Sequence, residues 1–132
     1  MIDKISGALV VWLLALSSGS AMAAIDRDTL QRIKRATVFV SLGQQLNAGS
    51  GSGFLVYSEG DRGWVVTNAH VASKAVDGGL RVVFNSGTRK ADSIPATVVG
   101  LSRSRDLAVL ELQAPSLPEP LPIAPNVRAH ET

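Results

Sequence analysis

The 132-residue chain contains no cysteine, which excludes a disulfide scaffold, a Cys-ligated zinc site, an iron–sulfur cluster and a thiol nucleophile. Histidine is nearly as scarce. With only His70 and His130 present, a multi-histidine metal centre is excluded, and no metal or cofactor site is expected. Charge of one sign is also lacking. Lys+Arg is 13 against Asp+Glu 11, the net charge is +2, and the basic residues are scattered, so the chain has no nucleic-acid footprint. Charged residues make up 18% and hydrophobic residues 45%, a folding composition and not a disordered one. The length suits one domain.

What is present begins with a targeting pattern. Lys4 precedes the apolar run Gly7–Leu16, followed by Ser17–Ser20 and the small-x-small sequence Ala21-Met22-Ala23. This charged, apolar and cleavage-site order predicts a secretory signal peptide over residues 1–23, and export to the periplasm or the extracellular space. The absence of charge between Lys4 and Asp26 makes an uncleaved anchor the competing reading. The apolar part falls short of the ~20 residues a span needs, so no stable membrane anchor is expected.

Beyond it, Asp26 and Asp28 are N-cap candidates for a short helix over Thr29–Arg35, acidic at its start and basic at its end. Six β-branched or aromatic runs then alternate with turn residues: Thr37–Leu42, Gly53–Tyr57, Trp64–Asn68, Leu80–Phe84, Ala96–Leu101 and Leu107–Leu112. Glu59–Gly63 and Asn85–Gly87 are the clearest hairpin turns. The pattern predicts an all-β fold, a small antiparallel barrel or sandwich with one short N-terminal helix, over residues 24–114. Prolines recur from Pro115 to Pro125, so residues 115–132 read as an extended linker.

Few side chains in this frame suggest chemistry. The stretch Gly49–Gly53 fits neither dinucleotide nor Walker spacing and leads into a strand, so its glycines read as permitting close backbone approach. His70 closes the apolar run Trp64–Ala69 at a strand end. Counting by two from Asp106 gives Ala108, Leu110 and Leu112, which would set its carboxylate on the apolar face of a strand, in need of a partner. Arg103 or Arg105 would make a structural ion pair; His70 would make a base with its tautomer fixed. Spacing leaves these alternatives open. His130 lies in a polar terminal segment and reads as solvated.

Gly51–Phe54, then Trp-Val-Val-Thr-Asn-Ala-His at Trp64–His70, Ala96–Gly100, and Arg-Asp-Leu-Ala-Val-Leu-Glu-Leu at Arg105–Leu112 together resemble trypsin-like serine peptidases of the bacterial Deg/HtrA type. The resemblance runs from about Thr37 to Ala124. It implies a six-stranded antiparallel barrel, the first of a chymotrypsin-like double barrel. By it the catalytic roles fall on His70 as general base and Asp106 as its orienter, while Ser52 is not the nucleophile. The family's Gly-Asn-Ser-Gly-Gly-type motif has no counterpart here, and no serine follows Ser116.

The expectation is therefore the amino-terminal half of an exported trypsin-like serine endopeptidase, inactive by itself. Its partner in the full-length enzyme would be a protein or peptide substrate, and its uncovered barrel face would favour self-association. The alternatives are a non-catalytic exported barrel that binds peptide or protein partners and, less in keeping with the co-occurring motifs, a purely structural β domain.

Overall fold

The computed structural model describes residues 24–43, 49–75 and 79–125. The signal-peptide expectation for residues 1–23 and the reading of His130 lie outside them. Helix α1 spans Arg27–Ala36, and strand β1 (Thr37–Leu42) follows directly. Next come β2 (Ser50–Glu59), β3 (Arg62–Thr67), the single-turn helix α2 (Ala69–Ala72), β4 (Leu80–Phe84), β5 (Asp92–Ser102) and β6 (Leu107–Gln113).

Asp26 starts α1. Its Oδ1 accepts from the backbone N–H groups of Asp28 at 2.8 Å and Thr29 at 3.1 Å, which satisfies two donors that the first turn leaves free. The helix is exposed apart from buried Ala36 and half-buried Ile33, so it gains little from packing. The strands follow the period-two rule. In β1, Val38, Val40 and Leu42 point inward; in β4, Leu80, Val82 and Phe84 do; in β6, Ala108, Leu110 and Leu112 do. Leu55, Leu110, Val40, Val65 and Val82 are fully enclosed, and each such burial is worth about 1.5–3 kcal/mol.

The six strands close into an antiparallel barrel in the order β1-β2-β3-β6-β5-β4, with β4 returning to β1 through Phe39–Val83 to Leu42–Leu80. This is the six-stranded all-β barrel with a short N-terminal helix expected from the sequence. Two bulges bend it, at Val56 in β2 and at Val99 in β5. Both strands are longer than the apolar runs that announced them. β2 begins at Ser50, inside the glycine-rich stretch, and β5 begins at Asp92, ahead of Pro95, where only β4 pairs with it.

Gly51 and Gly53 let the barrel close tightly at one end. A Cβ on Gly51 would lie 2.8 Å from Val71 Cγ2. One on Gly53 would lie 2.8 Å from both Val65 Cγ1 and the Val66 carbonyl oxygen. At the other end, residues 115–125 form neither helix nor strand, but they are held against the barrel. Leu121 N–H donates to the Leu55 carbonyl at 2.9 Å, Leu117 and Leu121 pack on the core, and Glu119 pairs with Arg32 of α1 at 3.0 Å.

Candidate active site

The site forms where β3 runs out. Thr67, the last residue of β3, is buried, and its hydroxyl donates to the Ser52 carbonyl at 2.7 Å. Asn68 stays extended, at φ −81° and ψ 143°, and the chain then makes one helical turn. Ala69, Val71 and Ala72 face the barrel, Val71 against Gly51, which leaves His70 as the residue of that turn directed outward. A turn this short has no hydrophobic periodicity, so the sequence pattern shows no helix here.

Asp106 comes from the loop between β5 and β6. The alternation read from Ala108, Leu110 and Leu112 does not extend back to it. β6 begins at Leu107, and Asp106 sits in a turn at φ +52°, its N–H donating to the Arg103 carbonyl at 3.3 Å. Its side-chain direction is therefore set by the left-handed turn and not by the strand's pleat. Neither arginine takes it. Among the described residues, Arg103 and Arg105 make no ion pair with Asp106.

The carboxylate instead grips His70 twice. Oδ1 accepts the His70 backbone N–H at 2.9 Å, and Oδ2 lies 2.7 Å from the ring Nδ1. Asn68 adds a third residue, its Nδ2 donating to the Asp106 carbonyl at 3.2 Å and to Oδ2 at 3.3 Å. These contacts hold the Asp106 carboxyl below the usual aspartate range, the backbone N–H of His70 contributing most and its ring next. The pair is open to solvent, with 62% of the His70 side chain and 46% of the Asp106 side chain exposed. A carboxylate on Nδ1 favours the Nδ1–H tautomer and leaves Nε2 with a lone pair able to take a proton. Among the described residues no hydroxyl hydrogen-bonds to that nitrogen.

His70 and Asp106 border a shallow recess of about 200 Å³ completed by Ala69, Ser73 and Arg103. A larger groove, about 610 Å³, lies elsewhere, between α1, β1 and the β4–β5 turn; Ser52 lines it, but His70 and Asp106 do not. Asn68 is the residue whose part in the site the sequence pattern did not disclose. No sequence signal marks it, because the one-turn helix it precedes is too short to leave a pattern.

The profile of the trypsin-like peptidase domain family matches residues 51–132, which include both candidate residues and strands β2 to β6 except the start of β2. A probable periplasmic serine endoprotease, DegP-like, of Chlamydia trachomatis serovar D is 40% identical over 75 residues, covering 57% of this chain and 13% of that protein. Its counterpart in Chlamydia pneumoniae is 37% identical over 75 residues, covering 57% of this chain and 14% of that protein. The MamO protease domain of Magnetospirillum magneticum in its apo form superposes with a TM-score of 0.56 at 29% identity, over 70% of this chain and 46% of that domain. The chain thus spans 13–14% of the length of these curated relatives. It belongs to the trypsin-like peptidase domain family.

Proposed function

We propose that this chain supplies the general base and its orienting carboxylate to an exported serine endopeptidase. Its nucleophile, oxyanion hole and specificity pocket would be contributed by a second barrel. The observation that carries the reading is the double contact of Asp106 with His70, at 2.9 Å to the backbone N–H and 2.7 Å to Nδ1. One carboxylate oxygen anchors the residue and the other fixes the ring tautomer, so Nε2 is the nitrogen left to act.

In this reading His70 Nε2 takes the proton of a serine hydroxyl as that oxygen attacks a peptide carbonyl. Asp106 stabilises the imidazolium, and the proton passes to the leaving amine. Oxyanion stabilisation would come from donors outside this barrel. The substrate class is protein or peptide, in keeping with the endoprotease names of the relatives. Their periplasmic designation, with the signal-peptide pattern of residues 1–23, supports export. Intact-mass analysis of exported material should give a chain beginning at or near Ala24; material that keeps Met1 and extracts with membranes would refute that part.

An apolar outer face supports the reading of a second barrel. On the outside of the sheet, Phe54 pairs with Val66, Val66 with Val109, and Val109 with Gly100, a continuous apolar row. Leu107 and Phe39 extend it, both exposed.

The test mixes the chain with the carboxy-terminal half of a close relative and follows cleavage of an unfolded protein. Activity should appear only in the mixture. His70→Ala should abolish it, by up to roughly 10⁶-fold as for loss of the base in a triad enzyme. Asp106→Asn should lower it about 10⁴-fold. Cleavage by the chain alone, or a mixture indifferent to His70→Ala, would overturn the proposal.

A further inference from the structure

We propose that Asn68 is a positioning residue for the His70–Asp106 pair, its side-chain amide fastening Asp106 in the left-handed turn from which both carboxylate oxygens reach His70. The inference rests on the reading of that pair given above.

It starts from an exchange of roles at the head of α2. Asn68 occupies the N-cap position, and asparagine is among the best residues there because its side-chain oxygen accepts a free N–H of the first turn. Here its side chain makes no cap bond. The His70 N–H, the second of the turn, is taken instead by Asp106 Oδ1, from 36 residues further along the chain. Asp106 caps the helix in place of Asn68, and the Asn68 amide is turned onto Asp106.

That amide reaches two acceptors of one residue, the backbone carbonyl at 3.2 Å and Oδ2 at 3.3 Å. A donor shared between the main chain and the side chain of Asp106 restrains the rotation between them. The restraint acts where it is needed, because Asp106 holds φ +52°, a conformation that aspartate tolerates but does not favour. Oδ2 receives both the Asn68 amide and the His70 ring, so the amide also sets the direction from which that oxygen meets Nδ1. The part played by Asn68 is thus exerted through Asp106, with no contact to a reacting atom.

The test reads the ring of His70 and not peptide cleavage, so it stands apart from the complementation assay. The full chain is labelled with ¹⁵N-histidine, and the His70 ring nitrogens are recorded where the ring is neutral, in wild type, Asn68→Ala, Asn68→Ser and Asn68→Asp. Unfolding temperature is measured in parallel, with hydrogen exchange of the His70 amide. Serine and aspartate both keep a good N-cap, and neither can span the two Asp106 acceptors as the amide does. Wild type should show Nδ1–H as the dominant tautomer. All three variants should shift toward Nε2–H, with faster exchange at the His70 amide, Asn68→Ser and Asn68→Asp included. If only Asn68→Ala changes, Asn68 is a cap and nothing more, and the proposal fails. It fails equally if Nδ1–H dominates in every variant.

Discussion

Asp106 has three tasks in this site: its carboxylate caps a one-turn helix and meets the His70 ring at Nδ1, and its backbone holds a left-handed turn. Because the folded state holds Asp106 below the usual aspartate value, its contribution to stability is fully present above an ordinary aspartate pKa of about 3.9. That contribution is lost as pH falls through the lower folded value. Asp106→Asn should therefore unfold at lower temperature than wild type near neutrality, and the gap should narrow as pH drops below about 4. A gap that is constant from pH 7 to pH 3 would contradict this. Core residues behave without such pH dependence. Leu110 is fully enclosed, and Leu110→Ala should cost about 2–5 kcal/mol in chemical denaturation. Parity along β6 read the interior positions correctly, since Ala108, Leu110 and Leu112 do face inward. The same counting misplaced Asp106, because alternation holds only while the backbone stays extended, and the chain leaves that conformation one residue before the strand. The family motif supplied the partner that spacing alone had left open among His70, Arg103 and Arg105.

At the scale of elements, the site depends on β2 meeting α2 closely. Gly51→Ala forces a Cβ to within 2.9 Å of two Val71 methyl carbons, and should cost about 1–3 kcal/mol. Val71→Ala added to it should recover part of that loss, since the obstruction is a side chain. Gly53→Ala should cost more and resist such rescue, because one of the atoms met is the Val66 carbonyl oxygen. Urea titration of the two single variants and the double variant checks both statements. All six strands and α1 were legible from apolar runs and punctuating turns, their ends less so. β5 starts early because Asp92–Pro95 pair with β4 although Asp92, Ser93 and Pro95 are exposed, and such residues carry no burial pattern. Helix α2 was illegible for the opposite reason, four residues being too few to define a face.

For the molecule as a whole, the barrel is closed, so no strand edge is left to pair with another chain between β1 and β4. The outer face offers an apolar surface for association instead. Phe54 and Leu107 are each 45% exposed beside Val66 and Val109, more apolar surface than a barrel strand facing water ordinarily shows. The chain by itself should self-associate through this row, and Phe54→Lys with Leu107→Glu should return it to monomer with the fold intact. Light scattering across a concentration series measures this; a wild-type chain that stays monomeric at high concentration would remove the face as a docking surface.

The Arg32–Glu119 pair and the Leu121–Leu55 hydrogen bond bring α1 and residues 115–125 onto the same barrel. Covalent order and spatial order are thereby separable. A link between these two segments, with the chain reopened at the exposed β4–β5 turn around Gly87, would rethread the polypeptide without breaking any of the six strand pairings. His70 and Asp106 would then lie on one uninterrupted stretch running from β5 through the link to β4, reversed in sequence and unchanged in space.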